Sequence, residues 1–407
     1  MKILIAEDER ITRRSLQREL TGWGHDVVAA EDGAIAWEHF QTQPFDIVVT
    51  DWDMPRMDGR ELIERIRRSD QPGFAYLTMQ RGYAYLIMLT GRSETADLVA
   101  GMEAGADDFL AKPFDRNELR VRLNAGERII RLERKLGAQN QALSKANERM
   151  KRDLDAAAAM QRDLLPKDLP TTLGAEFAWH FQPCDELGGD ILNVLPLGDH
   201  SVAMYLLDVT GHGVPAALLS VTLSRILTAR DPSASILVTR SAETDLIEVR
   251  PPGDVATHLN RQFPTDAQGG RFFTMVYGVL DFDTGMLRYA NAGHPPPILV
   301  RPGAATRQLP GGGLPIGILP DEKYDEAGIQ LQPGDRLYFY SDGITEAAND
   351  RGEMLQAEGL IQLIEKTRAG SLHDDLASCI AELKRYCGAE PFVDDVSLLA
   401  LEMPIAD

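Results

Sequence analysis

Cysteine is nearly absent from this chain. Its 407 residues include three, Cys184, Cys379 and Cys387, with no CxxC spacing. So sparse and odd a set is no disulfide framework and fits a reducing compartment. Positive charge is short as well: Lys and Arg number 42 against 62 Asp and Glu, for a formal net charge of −20. A protein that works by neutralising phosphates on nucleic acid or on an anionic membrane surface needs the opposite balance, so the composition argues against both partners. Long apolar runs are missing too. No stretch approaches the roughly 18 residues of a membrane span, and the acidic Glu7-Asp8-Glu9 follows Met1 too closely for a secretory leader. A cytoplasmic protein is expected. Hydrophobic residues make up 44% and charged residues 26%, an ordinary globular composition, and the length suits two or three domains with separate cores.

Three textures follow one another. In residues 1–120, short continuous apolar runs (Ile3-Leu4-Ile5-Ala6, Ile47-Val48-Val49-Thr50, Tyr85-Leu86-Ile87-Met88-Leu89, Phe109-Leu110-Ala111) alternate with amphipathic helical stretches such as 11–20 and 61–68. Strands buried on both faces read this way, and the alternation predicts a doubly wound, five-stranded parallel sheet of α/β class. Residues 121–166 lose proline until Pro166 and keep only Gly126 and Gly137. Ile129, Leu136, Leu143, Met150, Ala157 and Leu164 recur at seven-residue steps. Leu132, Ala146 and Met160 fall on the companion positions, which Gln139 and Asp153 interrupt. The pattern predicts one long helix with a coiled-coil seam, best partnered as a parallel homodimer; a helix packed only on its own domains is the alternative. Pro166 is the stop signal. Residues 167–407 carry β-type runs at 202–207, 273–280, 337–340 and 396–401, separated by turns such as Asp283-Thr284-Gly285, with helices after Pro215 and Ala357. This predicts an α+β domain, an antiparallel β-sandwich flanked by helices.

Open parallel sheets present their chemistry at the carboxyl ends of their strands. Glu7 and Asp8 follow the first strand and Asp51 the third, so three carboxylates converge on one rim, where mutual repulsion calls for a hard cation such as Mg²⁺. Thr90 and Lys112 end two further strands, and a hydroxyl and an ammonium there can cradle a phosphoryl group on one carboxylate. The stretches Ala6-Glu7-Asp8-Glu9, Asp51-Trp52-Asp53-Met54-Pro55, Met57-Asp58-Gly59, Met88-Leu89-Thr90-Gly91 and Lys112-Pro113-Phe114 closely resemble the receiver domain of response regulators. The resemblance implies that Asp51 is the phosphoacceptor and that a histidine kinase supplies its phosphoryl group. It also implies that Glu7, Asp8 and the Asp53 carbonyl bind Mg²⁺ with Asp51, that Thr90 and Lys112 contact the phosphoryl group, and that Phe109 is the switching aromatic. Glu7 stands where aspartate is commoner, and 72–85 is longer than the family norm.

In the last segment aspartate recurs beside glycine or at strand ends: Gly188-Gly189-Asp190, Asp208-Val209-Thr210-Gly211-His212-Gly213, Ser341-Asp342-Gly343 and Val393-Asp394-Asp395-Val396. One Asp-Gly is a turn; four carboxylates tied to apolar strands suggest a hard-metal centre of Mg²⁺ or Mn²⁺ rather than Zn²⁺. Two such ions can generate hydroxide at neutral pH and clamp a phosphoryl group without any side-chain nucleophile. With Gln161-Arg162-Asp163-Leu164-Leu165-Pro166, Ala292-Gly293-His294-Pro295-Pro296 and Leu314-Pro315-Ile316-Gly317, these motifs resemble the PPM family of metal-dependent protein phosphatases, in its bacterial sporulation and stress-response branch. The resemblance implies catalytic Asp208 and Asp190. Asp208 would bridge two Mn²⁺ or Mg²⁺ ions, the Val209 carbonyl and Asp190 completing one side and Asp342 and Asp394 the other. Asp395 is the lesser ligand of its pair. His212 is a candidate general acid, although this branch often has lysine there, and His294 reads as loop support. The segment 231–252 reads as an insertion facing substrate.

The expectation is a response regulator whose Asp51 phosphorylation controls a serine/threonine phosphatase acting on a phosphorylated STAS-type anti-sigma-factor antagonist. The alternative is a phosphorylation-gated scaffold with an unimportant phosphatase core. Charge, and the lack of a helix-turn-helix module after the receiver, oppose a DNA-binding regulator.

Overall fold

In a computed structural model, residues 1–69, 83–91, 95–167, 169–170, 174–228, 235–240, 247–368 and 370–404 are described. Most of the enlarged 72–85 stretch and much of 231–252 lie outside them. The chain divides into two compact units, Met1–Arg149 and Met150–Asp407.

The first unit is a five-stranded parallel sheet of β1 (Lys2–Ala6), β2 (Asp26–Ala30), β3 (Ile47–Asp51), β4 (Tyr85–Thr90) and β5 (Asp108–Ala111), in the order β2-β1-β3-β4-β5. Alternation of side chains along each strand explains the unbroken apolar runs. Leu4, Val48, Leu86 and Met88 enter one core, while Ile3, Ile5, Ile47, Val49, Ile87 and Leu89 enter the other. Helices α1 (Arg10–Gly22), α2 (Gly33–Thr42), α3 (Gly59–Ser69) and α4 (Thr95–Glu103) connect the strands. The Asp32 carboxylate caps α2 by accepting from Ile35 N–H at 2.9 Å.

Helix α5 (Arg116–Arg162) is one element of 47 residues. The expected linker therefore has no start of its own at 121: without proline or a glycine pair to stop it, the receiver's last helix simply continues. Leu119, Leu123 and Ile130 are buried in the second receiver core, residues 131–153 are exposed on every side, and Ala158 and Gln161 are buried again. The helix closes a turn before Pro166, because a residue preceding proline is disfavoured in the helical region.

The second unit holds two antiparallel sheets. β7 (Ile191–Pro196), β8 (Ser201–Val209), β11 (Phe273–Asp281), β12 (Met286–Ala292) and β15 (Ala327–Gln330) form one, in the order β15-β12-β11-β8-β7. β6 (Glu176–Gln182), β13 (Ile298–Val300), β14 (Arg307–Gln308), β16 (Arg336–Tyr340) and β17 (Val396–Glu402) form the other, in the order β14-β13-β16-β17-β6. A small hairpin pairs β9 (Val238–Arg240) with β10 (Ile247–Val249). Leu337, Phe339, Leu399 and Leu401 face inward against the first sheet, and their neighbours Tyr338, Tyr340, Leu398 and Ala400 face outward. The outward set is covered by α9 (Gln356–Thr367) and α10 (Leu372–Cys387). The outer face of the first sheet is covered by α6 (Val214–Ile226) and α7 (Pro252–Gln262). The result is a helix–sheet–sheet–helix sandwich, each fully buried aliphatic side chain contributing about 1.5–3 kcal/mol. Short α8 (Asp342–Thr345) starts at one of the aspartates singled out above.

Candidate functional sites

The receiver rim assembles as its strand ends require. Ligand oxygens of Glu7, Asp8 and Asp51 all lie within 4.8 Å of one another. Lys112 Nζ reaches Glu7 Oε2 at 2.7 Å and Asp51 Oδ2 at 2.9 Å. Burial raises the Glu7 carboxyl above its usual range, opposed by Lys112 and reinforced by Asp51. Burial on its own would lower the Lys112 ammonium, but its bonds to Glu7 and Asp51 prevail and raise it. The longer Glu7 side chain thus spends one oxygen on Lys112. Thr90 is buried at the neighbouring strand end. Phe109 is half-buried and lines a cavity of about 10 Å³ with Trp52, Met88 and Thr90. Asp53 lies in the turn after β3 and is engaged in its own contacts.

In the second unit Asp208 comes from the end of β8, Asp190 from the loop before β7, Asp342 from the start of α8 and Asp394 from the turn before β17. Two glycines allow the close approach. A Cβ on Gly189 would lie 2.7 Å from the Val209 carbonyl oxygen, and one on Gly343 would lie 2.2 Å from the Asp395 carbonyl oxygen. Burial, followed by the charges of Asp342, Asp394 and Asp395, pushes the Asp208 carboxyl up to about 8. Burial and the Asp394 charge push Asp342 up to about 6. Burial, then Asp208 and Asp395, raise Asp190 well above the carboxylate range, and burial raises Asp394. Asp190 is 1% exposed, and neither carboxylate oxygen has a hydrogen-bond partner. The hydroxyls of Ser341 and Ser397 lie near it without closing a bond of full geometry. A buried carboxylate without a donor, ringed by others, is a donor set suited to a hard cation.

The adjacent pair Asp394 and Asp395 divides its work. Asp395 Oδ1 accepts from Cys184 N–H at 2.9 Å, and its Oδ2 accepts from Gly189 N–H at 2.6 Å and Asp190 N–H at 3.1 Å. That carboxylate holds the Asp190 loop, which leaves Asp394 to face the cluster. Cys184 completes a trio with these two aspartates, but burial, then Asp395, pushes its thiol up to about 12, so it is protonated. His212 is exposed, with Nδ1 2.5 Å from Asp185 Oδ2. His294 is buried, and burial pushes it down to about 3, so at neutral pH it is an uncharged imidazole and no imidazolium acid.

Sequence reasoning quoted Gln161 within a motif and gave it no task. It is 3% exposed. Its Nε2 donates to the Gly188 carbonyl at 2.7 Å and to Ser220 Oγ at 3.3 Å, while Gly188 N–H donates to its Oε1 at 3.2 Å. A polar residue interrupting the apolar pattern Ala157-Ala158…Leu164-Leu165 was the available signal. Asp185 gave none.

Comparison with known proteins bears on both units. The family model of Stage II sporulation protein E (SpoIIE) matches residues 198–404, just over half the chain. The chain belongs to the SpoIIE family. Its N-terminal unit is a response regulator receiver domain, matched over residues 3–124. The SpoIIE-type phosphatase domain shares its fold with the SiaA-PP2C domain of Pseudomonas aeruginosa, at TM-score 0.52 and 20% identity, covering 64% of this chain and 98% of that one. Response regulator MprA of Mycobacterium ulcerans (strain Agy99) is 36% identical over 146 residues, which is 35% of this chain and 57% of that protein. A probable transcriptional regulator ycf27 of Porphyridium aerugineum is 37% identical over 125 residues, 30% of this chain and 47% of that protein. The chain spans about half the length of the curated relatives it matches. No helix among the described residues is long and apolar enough to cross a membrane.

Proposed function

We propose that this chain is a two-component response regulator in which phosphorylation of Asp51 by a histidine kinase controls a metal-dependent protein serine/threonine phosphatase. The observation that carries the catalytic half is the cluster of buried Asp190 with half-buried Asp208, Asp342 and Asp394, whose carboxyls are all pushed upward, first by burial and then by neighbouring carboxylates. Asp208 and Asp190, with the Val209 carbonyl, would hold one divalent cation, and Asp208, Asp342 and Asp394 the second. Bound there, Mn²⁺ or Mg²⁺ would supply a water of lowered pKa and a clamp on phosphoryl oxygens. The chain's own residues orient that chemistry. Asp395 fixes the Asp190 loop through three backbone N–H groups, and Asp185 orients the His212 imidazole, which is accessible for proton transfer to a leaving alkoxide. Mg²⁺ in the receiver would sit among Glu7, Asp8, Asp51 and the Asp53 carbonyl, with Thr90 and Lys112 on the phosphoryl oxygens and Phe109 reporting the change.

Helix α5 supplies a physical route between the two activities. Its first turns are buried in the receiver core at Leu119 and Leu123, and its last turn carries Gln161, which is bonded in both directions to Gly188, two residues from Asp190. A shift of that helix end acts directly on a metal-binding loop. The seam from Ile129 to Met150 is exposed, Leu132 by 57% and Leu143 by 60%, and a second copy of this chain in parallel register would cover it. The substrate, by family resemblance, is a phosphorylated STAS-type protein.

The test is Mn²⁺-dependent hydrolysis of a phosphoserine peptide and of p-nitrophenyl phosphate, with and without acetyl phosphate. Activity should vanish in Asp208→Ala, and the acetyl phosphate response should vanish in Asp51→Ala with basal activity retained. A wild type inert on both compounds and on a phosphorylated STAS protein would replace this reading with that of a phosphorylation-gated scaffold.

A further inference from the structure

His294 has no part in the chemistry so far, yet its contacts straddle the metal centre. The chain leaves β12 at Ala292 and turns through Gly293, at φ +69°, which directs the histidine inward to 4% exposure. Its backbone N–H donates to Asn291 Oδ1 at 3.0 Å. Its ring Nδ1 lies 2.8 Å from Thr274 Oγ1. The Tyr340 backbone carbonyl is the other polar group facing the ring, although Nε2 closes no hydrogen bond of full geometry.

Those two neighbours belong to different sheets. Thr274 lies in β11 directly opposite Asp208 of β8. Residues directly opposite in an antiparallel pair project to the same face, so the Thr274 hydroxyl and the Asp208 carboxylate are side by side. Tyr340 is the last residue of β16, two positions before Asp342. His294 therefore contacts the immediate surroundings of two carboxylates from opposite sheets, and Asp342 is the charge that acts most strongly on Asp208.

We propose that His294 is a positioning residue of the metal centre, which holds the Thr274 hydroxyl beside the Asp208 carboxylate. A metal ligand needs its place held to a fraction of an ångström. Apolar packing is non-directional and leaves small motions inexpensive, whereas the short, directional bond between His294 Nδ1 and Thr274 Oγ1 fixes the neighbour of Asp208. Burial keeps the imidazole neutral, so the ring adds no positive charge to compete with cations. The inference rests on the metallophosphatase reading.

The test measures Mn²⁺ binding by titration calorimetry in an Asp8→Ala background, which removes the receiver's contribution, alongside melting temperature in EDTA. Thr274→Val keeps the side chain's shape and removes the hydroxyl. It should weaken Mn²⁺ binding about tenfold, as loss of outer partners of metal sites does, while the melting temperature in EDTA changes by only a few degrees. His294→Ala should weaken binding at least as much, and His294→Asn, whose amide overlaps the Nδ1 edge, should recover part of it. If His294→Ala does not fold, Thr274→Val decides alone. A purely structural histidine predicts lower melting temperatures with unchanged Mn²⁺ affinity, and that result in Thr274→Val overturns the proposal. A parent protein that binds no Mn²⁺ overturns the metal reading itself, and this one with it.

Discussion

Raising the pH from 6 to 8 should tighten Mn²⁺ binding at the aspartate cluster by roughly fifty-fold. The cation needs Asp208 ionised, and in the cation-free protein burial and the charges of Asp342, Asp394 and Asp395 push that carboxyl up to about 8. A group with such a pKa is about 1% ionised at pH 6 and about half ionised at pH 8, and the ratio sets the apparent affinity. Asp342, pushed up to about 6 by burial and Asp394, adds a second proton below pH 6, and the raised Asp190 carboxyl acts in the same direction. The same shifts give the sign for the cation-free fold. The folded chain holds protons that the unfolded chain has lost, so these groups favour folding fully below about pH 4, and that contribution disappears as pH rises through about 8. Mn²⁺ should therefore raise the melting temperature most at the alkaline end. Calorimetric titration of the Asp8→Ala protein at constant ionic strength, in two buffers of different ionisation enthalpy, measures both affinity and released protons. A logarithmic slope near zero between pH 6 and 8, with no proton release, would mean that Asp208 is already ionised and that the crowding argument is wrong.

The paired aspartates should respond oppositely. Asp394→Asn relieves repulsion, so it should raise the melting temperature in EDTA and abolish stabilisation by Mn²⁺. Asp395→Asn has one acceptor oxygen for three N–H groups and should cost about 2–3 kcal/mol in urea unfolding, with or without metal; equal behaviour of the two variants would refute the division of labour. Gln161→Ala leaves the Gly188 N–H and carbonyl buried without their partner, for a loss of about 2–3 kcal/mol in the same assay and a weaker Mn²⁺ response. An unchanged unfolding midpoint would remove Gln161 from the route between receiver and phosphatase. Leu136 and Leu143 are 52% and 60% exposed, so Leu136→Lys with Leu143→Lys should leave the melting temperature unaltered and weaken self-association by at least about tenfold in sedimentation equilibrium. A wild type that stays monomeric at high micromolar concentration would contradict the parallel seam.

What the sequence showed and what it hid follow from one distinction. Periodicity reports how an element is buried, and that was legible wherever both faces of a strand are apolar. The runs at Ile3, Ile47 and Tyr85 each divide cleanly between two receiver cores. β6, with the sequence Glu-Phe-Ala-Trp-His-Phe-Gln, lies on the edge of its sheet, and short β13, β14 and β15 carry two to four residues, too few for a period to declare itself. The linker's beginning was illegible for a related reason: the residues that belong to the receiver core and those that stand exposed share one uninterrupted helical texture.

Site residues divide differently, because residue type declares chemistry but not partners. Asp394 and Asp395 are identical letters side by side, and only the fold shows that Asp395 is occupied by backbone N–H groups of Cys184, Gly189 and Asp190. His212 and His294 are likewise one residue type in two glycine-flanked turns. The first is exposed and oriented by Asp185, 27 positions away, and the second is buried between two sheets. In each case the deciding contact is long-range. A carboxylate or imidazole acquires its role from what its lone pairs and protons meet, and these meetings are arranged by strand order and by loops that glycine lets close upon one another. In this domain the residues that hold the aspartates, Gln161, Thr274, His294 and Asp395, sit on four different elements or turns, so a substitution among them should alter metal affinity without touching a ligand.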